Sequence, residues 1–216
     1  MPHRPEIPSY KVRRGRTGIT SQEARERLWP VYGINPPYAG LVAAPPAVLE
    51  IGFGMGEATA ELAAAQPDVS VVAVEVHPAG VAALLRRLED ARLTNVQIAE
   101  GDAVGVLRAL PDGALREVRL FFPDPWPKAR HAKRRLLRPS VASLLTDKLA
   151  PGGHLHLATD SPAYVEHARE ALAGWDVRVV ERPQWRPLTG YERRGLSAGR
   201  LPVDLIARPP ALAHRP

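Results

Sequence analysis

A chain of 216 residues that is 45% hydrophobic has room for one core of ordinary size. It contains no cysteine, which excludes disulfides, thiolate catalysis and cysteine-ligated zinc, and its seven histidines fall without metal-ligand spacing. The formal net charge of +6 favours a polyanionic partner, and no apolar run approaches the ~18 residues that a membrane helix needs.

Residues 1 to about 20 are polar, basic and proline-containing, with Lys11, Arg13, Arg14 and Arg16 clustered. They read as an arm that stays mobile until a partner arrives, and they lack the charged-then-apolar pattern of a secretory signal. The expectation is a soluble, cytoplasmic protein. Thr20-Ser21-Gln22-Glu23 has the capping-box pattern and predicts a helix through Ala24 to Leu28, ended by Pro30. Asn35-Pro36-Pro37 and Ala43 to Pro46 read as loop.

The run from Val48 to Gly56, VLEIGFGMG, reads as an apolar strand ending in Glu50, a glycine turn through Gly52, Gly54 and Gly56, and entry into an Ala- and Glu-rich helix. Three glycines at a strand-to-helix turn let a ligand or a second backbone come close and mark the floor of a crevice. A plain turn is the alternative. With Glu57 in place of a last glycine, the spacing departs from G-x-G-x-x-G and speaks against a nicotinamide dinucleotide.

Strands are predicted at about 48–51, 71–76, 96–99, 118–122 and 154–158, alternating with helices at about 57–65, 79–91, 103–109, 138–149 and 163–173. Ser161-Pro162 supplies an N-cap and first-turn proline for the last of these helices, and Gly174 follows its end. Two further strands, Val177 to Val180 and Val203 to Ile206, are joined by a polar loop from Arg182 to Pro202. This alternation predicts a doubly wound, mainly parallel α/β sheet of seven strands with helices on both faces. The expected division is a basic arm and short helix over 1–46, one domain over 47–208 and a proline-rich tail over 209–216.

Glu50, Glu75, Asp102, Asp124 and Asp160 all fall at or just beyond the carboxyl end of a predicted strand, the edge where open α/β sheets bind ligands. Glu75 is placed to accept hydrogen bonds from both hydroxyls of a ribose. Glu50 would repel a pyrophosphate but can face an ammonium group. Together these features suit S-adenosylmethionine. Taken singly, each acid could be a solvated strand-end group or a helix cap, and Asp102 before the helix at 103 is the strongest case for a cap.

The most specific stretch is Phe121-Phe122-Pro123-Asp124-Pro125-Trp126-Pro127-Lys128, followed by Ala129-Arg130-His131-Ala132-Lys133-Arg134-Arg135. Prolines around Asp124 and Trp126 stiffen the loop, fixing a carboxylate and an aromatic plane ahead of a block of cations. On these residues the chain resembles the bacterial tRNA (guanine-N7)-methyltransferase family, a Rossmann-like class I group that uses S-adenosylmethionine. The resemblance runs from Arg13-Arg14-Gly15-Arg16 and Leu28-Trp29-Pro30 through the glycine turn and FPDPWPK to Ala158-Thr159-Asp160 and Thr189-Gly190-Tyr191-Glu192-Arg193-Arg194-Gly195.

The resemblance implies that Glu50, Glu75, Asp102 and Asp124 line the cofactor pocket, with Asp124 also at the active site. Lys128, Asp160 and Thr189, Gly190, Tyr191 and Glu192 would meet the substrate guanine, and Arg130, His131, Lys133, Arg134 and Arg135 the RNA. It implies tRNA as partner, no metal and no membrane, in a monomer or homodimer. Two departures stand out: Tyr191 where the family more often has Phe, and Leu196 to Val203 in place of a His-Gly-Val-Trp-like run before Asp204-Leu205. The competing readings are a class I methyltransferase acting on a protein or metabolite, and a noncatalytic RNA-binding protein that keeps the fold. FPDPWPK and the basic run separate the first from the family reading. Glu50, Glu75 and the three glycines argue against the second.

Overall fold

The computed structural model describes residues 19–38, 41 and 47–210. The basic arm with Lys11, Arg13, Arg14 and Arg16, the segment from Ala43 to Pro46, and the tail beyond Pro210 lie outside the described residues. In chain order the elements are α1 (Ile19–Tyr32), β1 (Gly33–Ile34), β2 (Ala47–Ile51), α2 (Glu57–Ala65), β3 (Val71–Glu75), α3 (Pro78–Asp90), β4 (Val96–Glu100), α4 (Ala103–Ala109), β5 (Leu115–Phe121), a 3-10 turn (Ala129–Arg134), α5 (Pro139–Lys148), β6 (Leu149–Thr159), α6 (Pro162–Ala171), β7 (Asp176–Val180), α7 (Gly190–Ser197) and β8 (Val203–Arg208).

The strands form a single sheet in the order β1-β4-β3-β2-β5-β6-β8-β7, in which β8 runs antiparallel to both neighbours and every other pair is parallel. Successive side chains on a strand point to opposite faces, and this alternation assigns the two helical layers. Val48, Val71, Ala73 and Ile98 pack with Leu28 of α1 and Leu84 and Leu88 of α3. Leu49, Val72, Val74 and Leu157 pack on the other side with Leu107 of α4, Leu145 of α5 and Tyr164 of α6.

Strand order reverses between β2 and β5: the chain winds outward through β3 and β4 on one side and through β6 on the other. The loops leaving β2 and β5 at the same edge therefore diverge and open a crevice between them. The expectation of a doubly wound, mainly parallel sheet holds, with two-residue β1 added as an eighth strand at the β4 edge.

Three expectations are corrected. The helix already includes Ile19, so Thr20 is not its N-cap, and Pro30 lies inside it with Val31 and Tyr32 beyond. Packing of Ala24 and Leu28 with α3 residues and the Arg25–Glu100 and Arg27–Glu89 ion pairs fix α1 in place, a tertiary context that overrides the local preference to stop. The segment from Arg182 to Pro202 is not all loop, because it contains α7. Ser161 holds the N-cap position of α6, but its hydroxyl makes no capping bond.

The turn between β2 and α2 is packed from below by α3. Gly56 stands at φ 72°, and a Cβ there would lie 2.7 Å from Cβ of Leu84, so conformation and packing both require glycine. Gly80 of α3 comes closer still: an added Cβ would lie 2.2 Å from the carbonyl oxygen of Gly54. Gly80→Ala is expected to force helix and turn apart and to cost about 1–3 kcal/mol of stability, the scale of overpacking, read as a lower thermal unfolding midpoint. An unchanged midpoint would mean that the turn yields freely.

Candidate active site

The crevice floor is the glycine turn. Gly52, Gly54 and Gly56 have φ of 75°, 59° and 72°, so the backbone curls away from β2. Glu75, at the end of the neighbouring β3, pins this curl. Its Oε2 accepts from the Gly54 N–H at 2.8 Å, and its Oε1 accepts from the N–H groups of Val76 and His77 at 2.7 and 3.1 Å. A carboxylate offers about four acceptor positions, so one remains for a ligand.

Two adjoining hollows of about 340 and 230 Å³ share Gly52, Phe121 and Phe122 as a common wall. The first is completed by Glu50, Met55, Ala58, Thr189, Gly190, Tyr191 and Arg194. The second is lined by Glu75, His77, Gly101, Pro123 and Asp124. Glu50 is 3% exposed, and its Oε2 has no hydrogen-bond partner. Burial pushes its carboxyl up to about 7, against the pull of the Arg119 guanidinium on the adjacent strand position. The buried Thr59 hydroxyl pulls the same way as Arg119, and the oxygen left without a partner on the cavity wall can take a ligand's donor group, a cationic one above all.

Asp102 lies beside the second hollow rather than on its wall. Its carboxylate caps α4, accepting from the Val104 N–H at 3.1 Å, as the capping alternative has it. The FPDPWPK loop is stiffened by more than proline. Phe122 and Trp126 both stand at positive φ, 52° and 43°, on either side of the exposed Asp124. Such values are costly for bulky residues and persist only where the surroundings impose them. Here the Phe122 N–H continues the sheet to the Ala158 carbonyl at 2.7 Å, and the Phe122 ring packs on Tyr191 at 5.2 Å.

The basic run divides in two. Lys128, Arg130 and Lys133 are exposed beside the loop. Arg135 is 9% exposed and donates to the Pro125 carbonyl at 2.9 Å, so it braces the loop from beneath. The Arg134 guanidinium lies 5.0 Å from the centre of the Trp126 ring. Desolvation, then the charges of Arg130 and Arg134, push the His131 imidazole below its usual range.

Across the crevice, Thr189 caps α7 by accepting from the Glu192 N–H at 3.2 Å, and the Gly190 N–H reaches Glu57 of α2 at 3.3 Å. Tyr191 is 45% exposed at the rim. Glu192 is not at the rim: it is buried, with both carboxylate oxygens bound by Arg186. Asp160 lies behind Tyr191 with its carboxylate bound by Arg200 at 2.8 Å. Desolvation and the Asp160 charge raise the Tyr191 phenol above its usual range.

Sequence reasoning missed α7, Arg186, Arg200 and Gly80. The Thr-x-x-Glu spacing of Thr189 and Glu192 is a helix-start signal that could have located α7. No local signal marks the other three. Among the described residues no cluster of His, Cys, Asp or Glu is arranged to hold a metal ion, and no helix is long and apolar enough to cross a membrane.

A family model described as a putative methyltransferase matches residues 44–205. The tRNA (guanine-N(7)-)-methyltransferase of Nitrosospira multiformis is 45% identical, covering 96% of this chain and 96% of its own. The enzyme of the same description from Streptomyces coelicolor is 41% identical over 94% of this chain and 80% of its own. Among solved structures, the 16S rRNA (adenine(1408)-N(1))-methyltransferase of Catenulisporales acidiphilia superposes with a TM-score of 0.58 at 21% identity, covering 85% of this chain and 95% of that one. A precorrin-6y C5,15-methyltransferase from Geobacter metallireducens gives a TM-score of 0.54 at 17% identity, over 87% and 85%. The structural likeness speaks for the fold, and the sequence likeness along nearly the whole chain shows that it belongs to the tRNA (guanine-N(7)-)-methyltransferase family.

Proposed function

We propose that this chain methylates N7 of a guanine in tRNA, in the variable loop by family resemblance, with S-adenosylmethionine as donor. The observation that carries the reading is the unpartnered Oε2 of buried Glu50, on a wall that continues through Phe121 and Phe122 to Asp124. The residues present fit that cofactor. Glu50 would hold its ammonium group, the Gly52–Gly56 turn would lie under it, and the remaining acceptor position of Glu75 would take a ribose hydroxyl. When bound, the cofactor supplies the electrophilic methyl group.

Guanine N7 carries an in-plane lone pair that is unprotonated at neutral pH, so no residue has to remove a proton. The protein's task is alignment and charge stabilisation. Asp124 stands where the ring becomes cationic, and its negative charge stabilises that change. Asp160 orients the guanine through its amide edge, and Tyr191 offers a stacking face. Trp126 suits that role less, because Arg134 lies over its ring. Thr189 and Gly190 shape the rim, and Glu192 acts beneath it. Lys128 stands nearest the target nucleotide, while Arg130 and Lys133 hold phosphates and set register without reading sequence. Asp102 serves the cofactor from behind the wall as the cap of α4. Arg134 and Arg135 support the loop, and His131 stands among the cations that would meet the RNA. The same proposal places the protein in the cytoplasm and divides the chain into a basic arm and short helix over 1–46, the methyltransferase domain over 47–208 and a tail over 209–216, with α1 and β1 packed onto that domain.

The direct test is to incubate the protein with bulk tRNA and labelled cofactor, digest the RNA and identify the labelled nucleoside. 7-Methylguanosine is expected. Label in another nucleoside, or none, overturns the reading.

Burial sets a pH signature. In the unfolded chain Glu50 ionises near 4.5, and in the fold at about 7. The unfolded state therefore loses its proton first, and Glu50 costs stability as pH rises from the first value to the second, with the cost persisting above. An ammonium partner reverses that preference, so cofactor binding at about pH 6.5 should release a proton. Binding heats measured in two buffers of unlike ionisation enthalpy should then differ, and Glu50→Gln should remove the difference while weakening binding. Equal heats for the parent would exclude Glu50 as the ammonium partner.

Asp160→Asn is expected to slow methylation by about tenfold or more, the scale for a charged contact at a reacting centre, with cofactor affinity unchanged. Its unfolding midpoint should stay near the parent's, because the lost partner Arg200 is well exposed and such pairs contribute little. A parent-like rate, or a matching loss of cofactor affinity, would remove Asp160 from guanine recognition.

A further inference from the structure

The helix that carries the substrate rim has almost nothing apolar to hold it. Of the eight residues of α7 only Glu192 and Gly195 are buried, and Tyr191 and Leu196 are exposed. Helices are ordinarily fixed by burying an apolar stripe, and α7 has none. Something else must set its position.

Arg186, 1% exposed, occupies that place. Its Nη1 and Nη2 donate to Oε2 and Oε1 of Glu192 at 2.8 and 2.7 Å, a bidentate pair. Nη2 also donates to Oδ2 of Asp204 on β8 at 3.1 Å, and Nε stands 2.9 Å from Oδ1 of the same residue. Asp204 is held in turn by the ring of His156 on β6, whose Nε2 lies 2.6 Å from Oδ1. Burial pushes the Asp204 carboxyl up, but the His156 hydrogen bond and the Arg186 charge outweigh it and hold it below the usual range. The side chain of Arg182 and the carbonyl of Arg186 close the bracket from outside, with Arg182 Nε 3.6 Å from Glu192.

The guanidinium has a second contact that a purely structural ion pair would not need. Its centre lies 5.6 Å from the ring centroids of both Phe121 and Phe122, the shared wall of the two hollows. Phe122 then packs on Tyr191. One buried cation thus touches the wall beside the donor site and, through Glu192, the helix that presents the acceptor rim.

We infer that Arg186 is a positioning residue for methyl transfer: with Glu192 it sets the distance and angle between the cofactor hollow and the guanine-facing rim formed by Thr189, Gly190 and Tyr191. This deepens the tRNA reading and rests on it. Because in-line transfer is sensitive to displacements of about 1 Å, small shifts of α7 appear in turnover before they appear in binding. Lysine keeps the charge but has neither the fork that grips Glu192 nor a plane to lie on two phenyl rings.

The test compares the parent, Arg186→Lys, Glu192→Gln and the double variant, with every rate expressed per cofactor-binding site counted by calorimetry. Each single variant is expected to bind cofactor within about threefold of the parent, while kcat on tRNA falls by about 10- to 100-fold and KM for tRNA changes less. The double variant should be no worse than the poorer single one, since both cut the same link. Parent-like kcat per binding site in the singles, even with lowered unfolding midpoints, would reduce Arg186 to a structural ion pair and overturn the inference, as would multiplying losses in the double variant. Should Arg186→Lys fail to fold, Glu192→Gln decides alone, because it leaves the Arg186–Asp204 pair intact. If the parent itself does not methylate tRNA, the functional reading falls; if the parent is active and the variants match it, only this inference does.

Discussion

Parallel strands can be joined only by crossovers, and here the crossovers leave β2 in one direction and β5 in the other. That topological constraint is what the site depends on. It sends the glycine turn and the FPDPWPK loop apart from neighbouring strand ends, and the gap cannot be filled by either. The residues that line the two hollows come from its sides: Glu50 and Glu75 from one, Phe121 to Asp124 from the middle, and the rim of α7 from the other.

Around the gap the protein uses charge where most of its core uses hydrocarbon. The half of the sheet under α2 and α3 is packed with Val48, Val71, Ala73 and Leu84. On the neighbouring strands the same face carries Glu117, Arg119, His156 and Asp204, all buried. Arg119 is bound by Glu117 through two hydrogen bonds at 2.9 and 3.1 Å, and Arg186 by Glu192 and Asp204 through its two Nη atoms. Replacing buried ion networks by apolar side chains often leaves stability unharmed, so the burial of these ions is weak evidence that they hold the fold. Glu50 lies opposite Arg119 in register and keeps a carboxylate oxygen without a hydrogen-bond partner on the wall of the first hollow.

The two lips of the crevice are built by different means. One is a short loop locked by proline, by two left-handed aromatic residues and by Arg135 from below. The other is a short helix held at the Arg186 bracket, by Glu57 at Gly190, and through the Arg200–Asp160 pair at its far end. A rigid lip with an exposed carboxylate suits charge stabilisation. The Leu196 to Val203 segment, where this chain departs from the run usual in its family, is the part that delivers Arg200 to Asp160.

The pattern of apolar residues, together with the glycines and prolines that interrupt it, was enough to place five of the parallel strands within a few residues, both main helical layers and the crevice edge. These are short-range properties: periodicity, caps and turns report the local backbone, and FPDPWPK is contiguous. The acids at that edge were legible for the same reason, since a strand end is a position along the chain. The roles of single side chains were not. That Arg135 turns under the loop while Arg130 and Lys133 stay outside, that Asp102 caps its own helix, and that Glu192 is bound by Arg186 rather than exposed with Tyr191, are matters of which way a residue faces after distant segments have packed. Gly80 was invisible for a like reason, because it is required by the carbonyl of Gly54, far away along the chain. The protein's chemistry is written in stretches that stay together in the chain, whereas the distances that let the chemistry proceed come from contacts between β5, β6, β8 and α7, which exist only once burial of the apolar faces has brought those segments to one place.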